Sequence, residues 1–188
     1  LVDFFIRSHK KAPEELILDF DSTDDPTHGN QEGRFFHGYY DHYCFLPLYV
    51  FCGDNLLVSY LRPSNIDGAR HAWAILALLV RHFREEWPGV KITFRGDSGF
   101  CRWQMLSWCD RHDVGYIVGI AKNSRLNEVA SELLEEAKLL FEKTGEKQRL
   151  FSEVEYAAFT WDKERRVLAK AEYTDQGSNP RYVVTNLS

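Results

Sequence analysis

Long apolar runs are missing from this chain: none reaches the roughly 18 to 20 residues that a bilayer-spanning helix needs, so no membrane span is expected. The basic-then-apolar layout of a secretory leader is missing too, since the first residues read LVDFFIRSHKK. There is no CxxC pair. Cys44, Cys52, Cys101 and Cys109 each lie in an apolar segment, and buried reduced thiols are expected in place of a disulfide or a zinc site. Positive charge is not in excess: 23 Lys and Arg face 28 Asp and Glu, for a net charge of -5. Any contact with nucleic acid must therefore come from a local basic face and not from the average field. Internal repeats, low-complexity tracts and long like-charge blocks are also absent. A cytoplasmic protein is the expectation that these absences leave.

What is present is enough for one well-packed domain: 188 residues, 44% hydrophobic and 14% aromatic. The chain opens on Leu1 in the amphipathic fragment LVDFFIRSHKKAPEE and reads as a piece of a longer protein. In ELILDFDST the side chains alternate, so Leu16, Leu18 and Phe20 share one strand face while Ile17, Asp19 and Asp21 share the other. One strand thus presents two carboxylates in line. Asp24 and Asp25 follow in a loop, DDPTHGNQEGR, which also carries His28.

HYCFLPLYVFCG and NLLVSYLRP, separated by Gly53-Asp54-Asn55, read as a hairpin. NIDGARHAWAILALLVRHFREEWPG has helical spacing at Ala72, Leu76, Leu79, Phe83 and Trp87, with Asn65 or Asp67 as candidate caps and Pro88-Gly89 as the stop. VKITFRGDSGF is a strand that ends in Asp97 between two glycines. RWQMLSWCDRH is then helical, and VGYIVGIAKN is a strand. Leu126 to Phe141 reads as one amphipathic helix with Gly145 as its C-cap, followed by the strand-like RLFSEVEYAAFTW, RRVLAKAEYT and RYVVTNLS. This order predicts an α/β fold in which a mixed sheet is flanked by helices.

Asp21 and Asp97 both end strands and are followed by small residues, in DST and GDSG, which leave room for an ion and a substrate. Carboxylate oxygens are hard ligands suited to Mg²⁺ or Mn²⁺, and a metal pair of this kind activates water and stabilises the leaving oxygen in phosphodiester cleavage. The plain alternative for Asp97 is that it, or Ser98, caps the helix that follows.

LILDFDSTDDPTHGNQEG, FRGDSGFCRWQMLSWCD, YIVGIAKNSRL and YVVTNLS, in this order, resemble the DDE transposases of bacterial insertion sequences that have an RNase H-like catalytic core. The resemblance covers nearly the whole chain. It implies an RNase H-like mixed sheet with a β-rich insertion near the C-terminus, and it makes Asp21 the first catalytic, metal-binding aspartate and Asp97 the second, with Asp19 ranked after Asp21. It divides the chain into a first part of the core, 1–125, a helix plus β-rich insertion, 126–180, and a returning core strand, 181–188. The chain would then stop before the helix bearing the third acid, because Glu128, Glu132 and Glu135 precede the insertion, and the fragment alone would be inactive.

The implied activity is metal-dependent DNA cleavage and strand transfer during DNA transposition. The implied cofactor is Mg²⁺ or Mn²⁺, two ions in a complete site. The implied partners are double-stranded DNA, as transposon ends and target, and a second copy of the protein in a homodimer, at the nucleoid. Alternatives are an RNase H-like nuclease without joining activity, or a non-catalytic DNA-binding domain derived from a transposase. Around the acids, Arg95, Arg102, Lys122 and Arg125 are candidates for phosphate contacts, with surface solubility as the other reading of each. His28 could orient water or phosphate, or only stabilise its loop. Arg34, His37, Tyr39, Tyr40 and His42 interleave charge and aromatics in a way that suits either a DNA groove or a plain core.

Overall fold

The computed structural model describes residues 1–188. Its centre is the strand β1 (Glu15–Ser22), where strict alternation puts Leu16, Leu18 and Phe20 in the core and leaves Asp21 exposed. A two-residue strand, β2 (Asp25–Pro26), and the hairpin β3 (Phe35–His37) and β4 (His42–Phe45) form a small separate sheet. The hairpin β5 (Leu48–Cys52) and β6 (Asn55–Tyr60) follows, turning at Gly53 and Asp54. The apolar run HYCFLPLYVFCG is therefore two strands in two sheets. Pro47 lies between them, as expected of a residue that cannot donate to a ladder.

Helix α2 (Ala72–Glu86) leads to β7 (Lys91–Gly96), a 3₁₀ turn at Ser98–Phe100, helix α3 (Trp103–Arg111) and β8 (Gly115–Ile120). The α2 helix starts later than its candidate caps. Asp67 instead accepts from the Ala69 amide at 2.8 Å in the preceding turn, and its carboxylate pairs with Arg102. Val2–Ser8 forms α1. The helical stretch after β8 is two helices, α4 (Ser124–Val129) and α5 (Ser131–Thr144), with Gly145 as the left-handed C-cap. Last come β9 (Gln148–Tyr156), β10 (Arg165–Thr174), β11 (Gly177–Ser178) and β12 (Arg181–Thr185).

The strands of the large sheet run in the order β6-β5-β1-β7-β8-β12-β10, with β9 and β11 paired to β10. β1, β7 and β8 are parallel, while β5, β6 and β12 are antiparallel to their neighbours. This is the mixed sheet flanked by helices that the sequence predicts. β12 joins β8, and β10 pairs with β12, so the strands of the β-rich segment continue the same sheet.

One hydrophobic cluster holds the layers together. It includes Leu18, Phe20, Ile92, Phe94 and Val118 from the sheet, and Leu76, Phe83, Met105 and Leu106 from α2 and α3. Full burial of each such side chain contributes about 1.5–3 kcal/mol. All four cysteines are free thiols. Cys44 and Cys109 are buried, and burial pushes the Cys101 thiol up to about 11 and that of Cys109 to about 12.

Candidate active site

The parallel register pairs Asp19 with Arg95 and Phe20 with Gly96, where the ladder ends, and Asp21 and Asp97 are the next residues along the two segments. Residues paired in a parallel ladder share a face. Asp19 and Arg95 confirm the face by forming a two-pronged ion pair, with Arg95 Nη2 to Asp19 Oδ2 at 2.7 Å. Asp21 has no such partner: it is exposed and enters no ion pair or side-chain hydrogen bond. Asp19 is thus neutralised within the sheet, and Asp21 is the acid of this strand left open to an ion.

Asp97 is held from three sides. Its backbone is still extended, and its Oδ1 accepts from the Gly99 amide at 2.8 Å, capping the 3₁₀ turn. Capping and ion binding are compatible, because the cap occupies one oxygen and leaves Oδ2 without a protein partner. Phe100, 1% exposed, anchors the turn against Phe20 and Phe94 at ring distances of 6.2 and 6.4 Å. Gly96 makes room for that ring, since a Cβ there would stand 3.0 Å from it. From β8, Gly119 lies so close to the turn that a Cβ would meet Ser98 N at 2.9 Å. Glycine inside a strand is a signal of close backbone approach, and the sequence VGIAKN carried it.

A buried arginine supports the end of β1. Arg62 is 1% exposed and has no carboxylate partner. Its guanidinium donates to the carbonyls of Leu46, Gly68 and Arg70 at 2.9, 3.1 and 2.6 Å, and to Ser22 Oγ at 2.8 Å, one residue from Asp21. Neither Arg62 nor Ser22 was visible as a site residue in the sequence.

Above the acids lies the turn between β3 and β4. Ser22, His37, Tyr39, Tyr40, Asp97 and Gly99 line a cleft of about 150 Å³. Burial, then the charges of Asp24, Tyr39, Asp21 and Asp97, raises the Tyr40 hydroxyl above its ordinary value. Asp24 is not a free loop acid, because it pairs with His42 at 2.7 Å. His28 is exposed in its loop and makes no side-chain contact of this kind.

The candidate phosphate-binding cations divide into three groups. Arg95 and Arg102 are tied to Asp19 and Asp67. Arg125 lies over the Tyr156 ring at 5.2 Å and donates to the Ala157 carbonyl. Lys122, just beyond β8, is exposed and without a carboxylate partner. No three His, Cys, Asp or Glu side chains come together as a ready metal site. The donor set that is present, the free Asp21 carboxylate and Asp97 Oδ2 among small residues, fits a hard divalent cation that keeps much of its water.

Asp21 and Asp97 thus follow the end of the parallel ladder between two adjacent strands, with Phe100 packed under the turn after Asp97 and Arg62 bonded to the residue after Asp21. The family model for the transposase DDE domain group 1 matches residues 1–188, and the chain belongs to that family. Among solved structures, the piggyBac transposase synaptic complex with hairpin DNA is similar, with a TM-score of 0.48 and 11% identity over 99% of this chain and 36% of that chain. The chain therefore spans about a third of that protein's length. No curated protein sequence matches.

Proposed function

We propose that this chain provides the first two metal ligands, Asp21 and Asp97, of a transposase that cuts DNA at an element's ends and joins the freed 3′ hydroxyl to target DNA. What supports the reading above all is that Asp21 and Asp97 follow directly on the paired residues Phe20 and Gly96 and enter no ion pair, while Asp19 and Asp24 are paired. Bound Mg²⁺ or Mn²⁺ would activate the attacking oxygen and stabilise the leaving one. The chain's own part is to hold the carboxylates in place, through Arg62 and Ser22 on one strand and Phe100 and Gly119 on the other, and to offer Lys122 as a phosphate contact. Two aspartates leave most of the six positions to water, to phosphate oxygens and to a further acid, which the resemblance puts after β12.

The intact protein would act on double-stranded DNA as a homodimer, in the cytoplasm at the nucleoid of a bacterium that carries the insertion sequence. Asp97→Asn keeps the side chain's shape and removes its charge. In the intact protein it should abolish metal-dependent cleavage and joining on a pre-nicked element end while DNA binding stays nearly unchanged. Substantial joining by that variant would sink the assignment. Cleavage without joining by the wild type would favour a plain nuclease.

A further inference from the structure

We propose that the turn Gly38–Asp41, between β3 and β4, is a nucleobase subsite in which Tyr39 stacks on one unpaired base of the DNA strand presented to Asp21 and Asp97, with Tyr40 edge-on beside it. The inference rests on the DNA-processing reading above and names the part of the substrate that this cleft takes.

The hairpin exposes aromatic surface that its own fold does not use. Tyr39 is 86% exposed, Phe36 53%, Tyr43 49% and Phe35 41%. Clustered exposed apolar surface on a soluble domain marks a binding site more often than scattered single residues do. The Tyr39 ring is not on a loose loop. The amides of Tyr40 and Asp41 both donate to the His37 carbonyl, at 3.1 and 2.8 Å, and the Ser64 hydroxyl holds the Phe35 carbonyl at 2.9 Å. The ring also rests edge-on against Tyr40, 5.0 Å between centroids. A fixed, solvent-facing ring loses little freedom when a flat partner stacks on it.

Charge decides which part of a nucleotide fits. No Lys or Arg lines the cleft, and Arg34, just before β3, lies over the Tyr43 ring at 4.5 Å. Asp97 lines the cleft, and the negative charges of Asp24, Asp21 and Asp97 all act on Tyr40. A phosphate would be repelled there, whereas an uncharged base with a π-face would not. The space, about 150 Å³, is smaller than the roughly 300–1,000 Å³ of a pocket that encloses a drug-sized ligand. It admits one flat ring system and excludes a duplex. Within the same cleft His37 carries Nδ1 buried and without a hydrogen-bond partner, beside Tyr40 at 4.8 Å between rings. Buried polar atoms are rarely left unpaired, and the polar edge of a base is a group that would satisfy this one.

The test uses two short duplexes carrying 2-aminopurine, paired with thymine in one and opposite an abasic position in the other. The chain should bind the unpaired form about 5- to 150-fold more tightly, the range that base–aromatic stacking supplies, and quench its fluorescence. Tyr39→Ala should remove the preference and the quenching without changing the thermal melt, because the ring is exposed; Tyr39→Phe should keep both. Equal affinity of the wild type for the two duplexes, or an undiminished preference in Tyr39→Ala, would overturn the subsite. Chelation of divalent cations separates this inference from the catalytic reading. The base preference should persist in EDTA when cleavage by the intact protein is lost, and an intact wild type that prefers the unpaired base but never cleaves with Mg²⁺ would sink the catalytic reading alone.

Discussion

The guanidinium of Arg62 donates to the hydroxyl of Ser22 at 2.8 Å, so a fully buried cation holds the end of the strand from which Asp21 projects. Three backbone carbonyls take its other donors, and no carboxylate neutralises it. Desolvation accordingly lowers the Arg62 pKa from its ordinary value.

Removing the two ends of this bond should have unequal effects. Ser22→Ala deletes one hydrogen bond to a charged donor and should cost about 1.5–3 kcal/mol in urea unfolding. Arg62→Met also strands the three carbonyls and should cost more than about 3 kcal/mol. Equal losses in the two variants would show that the carbonyl contacts contribute nothing.

Gly119 tests the bracing of Asp97 from the other side. A methyl group there meets main-chain atoms, Ser98 N at 2.9 Å and Asp97 C at 3.2 Å, and main chain cannot move aside as a flexible side chain can. Gly119→Ala should destabilise the fold by about 1–3 kcal/mol and reduce metal-dependent activity of the intact protein. Gly89→Ala is the control, since nothing lies within 4 Å of its added carbon. If both variants melt alike, Gly119 is not a packing constraint.

Metal affinity should be low. With Asp21 and Asp97 as the two proposed protein ligands, Mn²⁺ should bind the chain with a dissociation constant on the order of 1 mM. Asp19→Asn, which removes an ion-paired acid, should leave that value unchanged, whereas Asp21→Asn should weaken it further. Micromolar binding by calorimetry would mean that another acid joins the site.

The β9–β10 connection carries an acid-sensitive clamp. Arg165, 3% exposed, donates to Asp162 at 2.8 Å and reaches Asp110 at 3.3 Å, tying the connection to α3. The Arg165 hydrogen bond, with Ser107 assisting, holds the Asp162 carboxyl at about 2, below its ordinary 3.8. The folded value is the lower one, so the stabilisation is complete above roughly pH 4 and is lost as the pH falls through 2. The melting-temperature gap between wild type and Asp162→Asn should therefore close between pH 4 and pH 2. A gap that stays constant over that interval would refute the assignment.

Period and punctuation alone determined much of this protein. The alternation of β1 dictates that Asp19 and Asp21 share the face opposite Leu18 and Phe20, because successive side chains of a strand must point to opposite faces. The strand–helix order likewise fixed a mixed sheet, and the small residues around Asp21 and Asp97 marked the edge where chemistry could occur. Those are local properties of the chain. Which acid is left free is not local. Asp19 and Asp21 are equivalent in the strand pattern, and only the parallel register with β7 brings Arg95, 76 residues away, onto Asp19. The same holds for Arg62, whose hydrogen bond to Ser22 spans 40 residues, and for the hairpin turn that sets Tyr39 and Tyr40 beside Asp97. Charge pairing and burial depend on which distant segments the sheet makes neighbours, and that was decided by the tertiary structure.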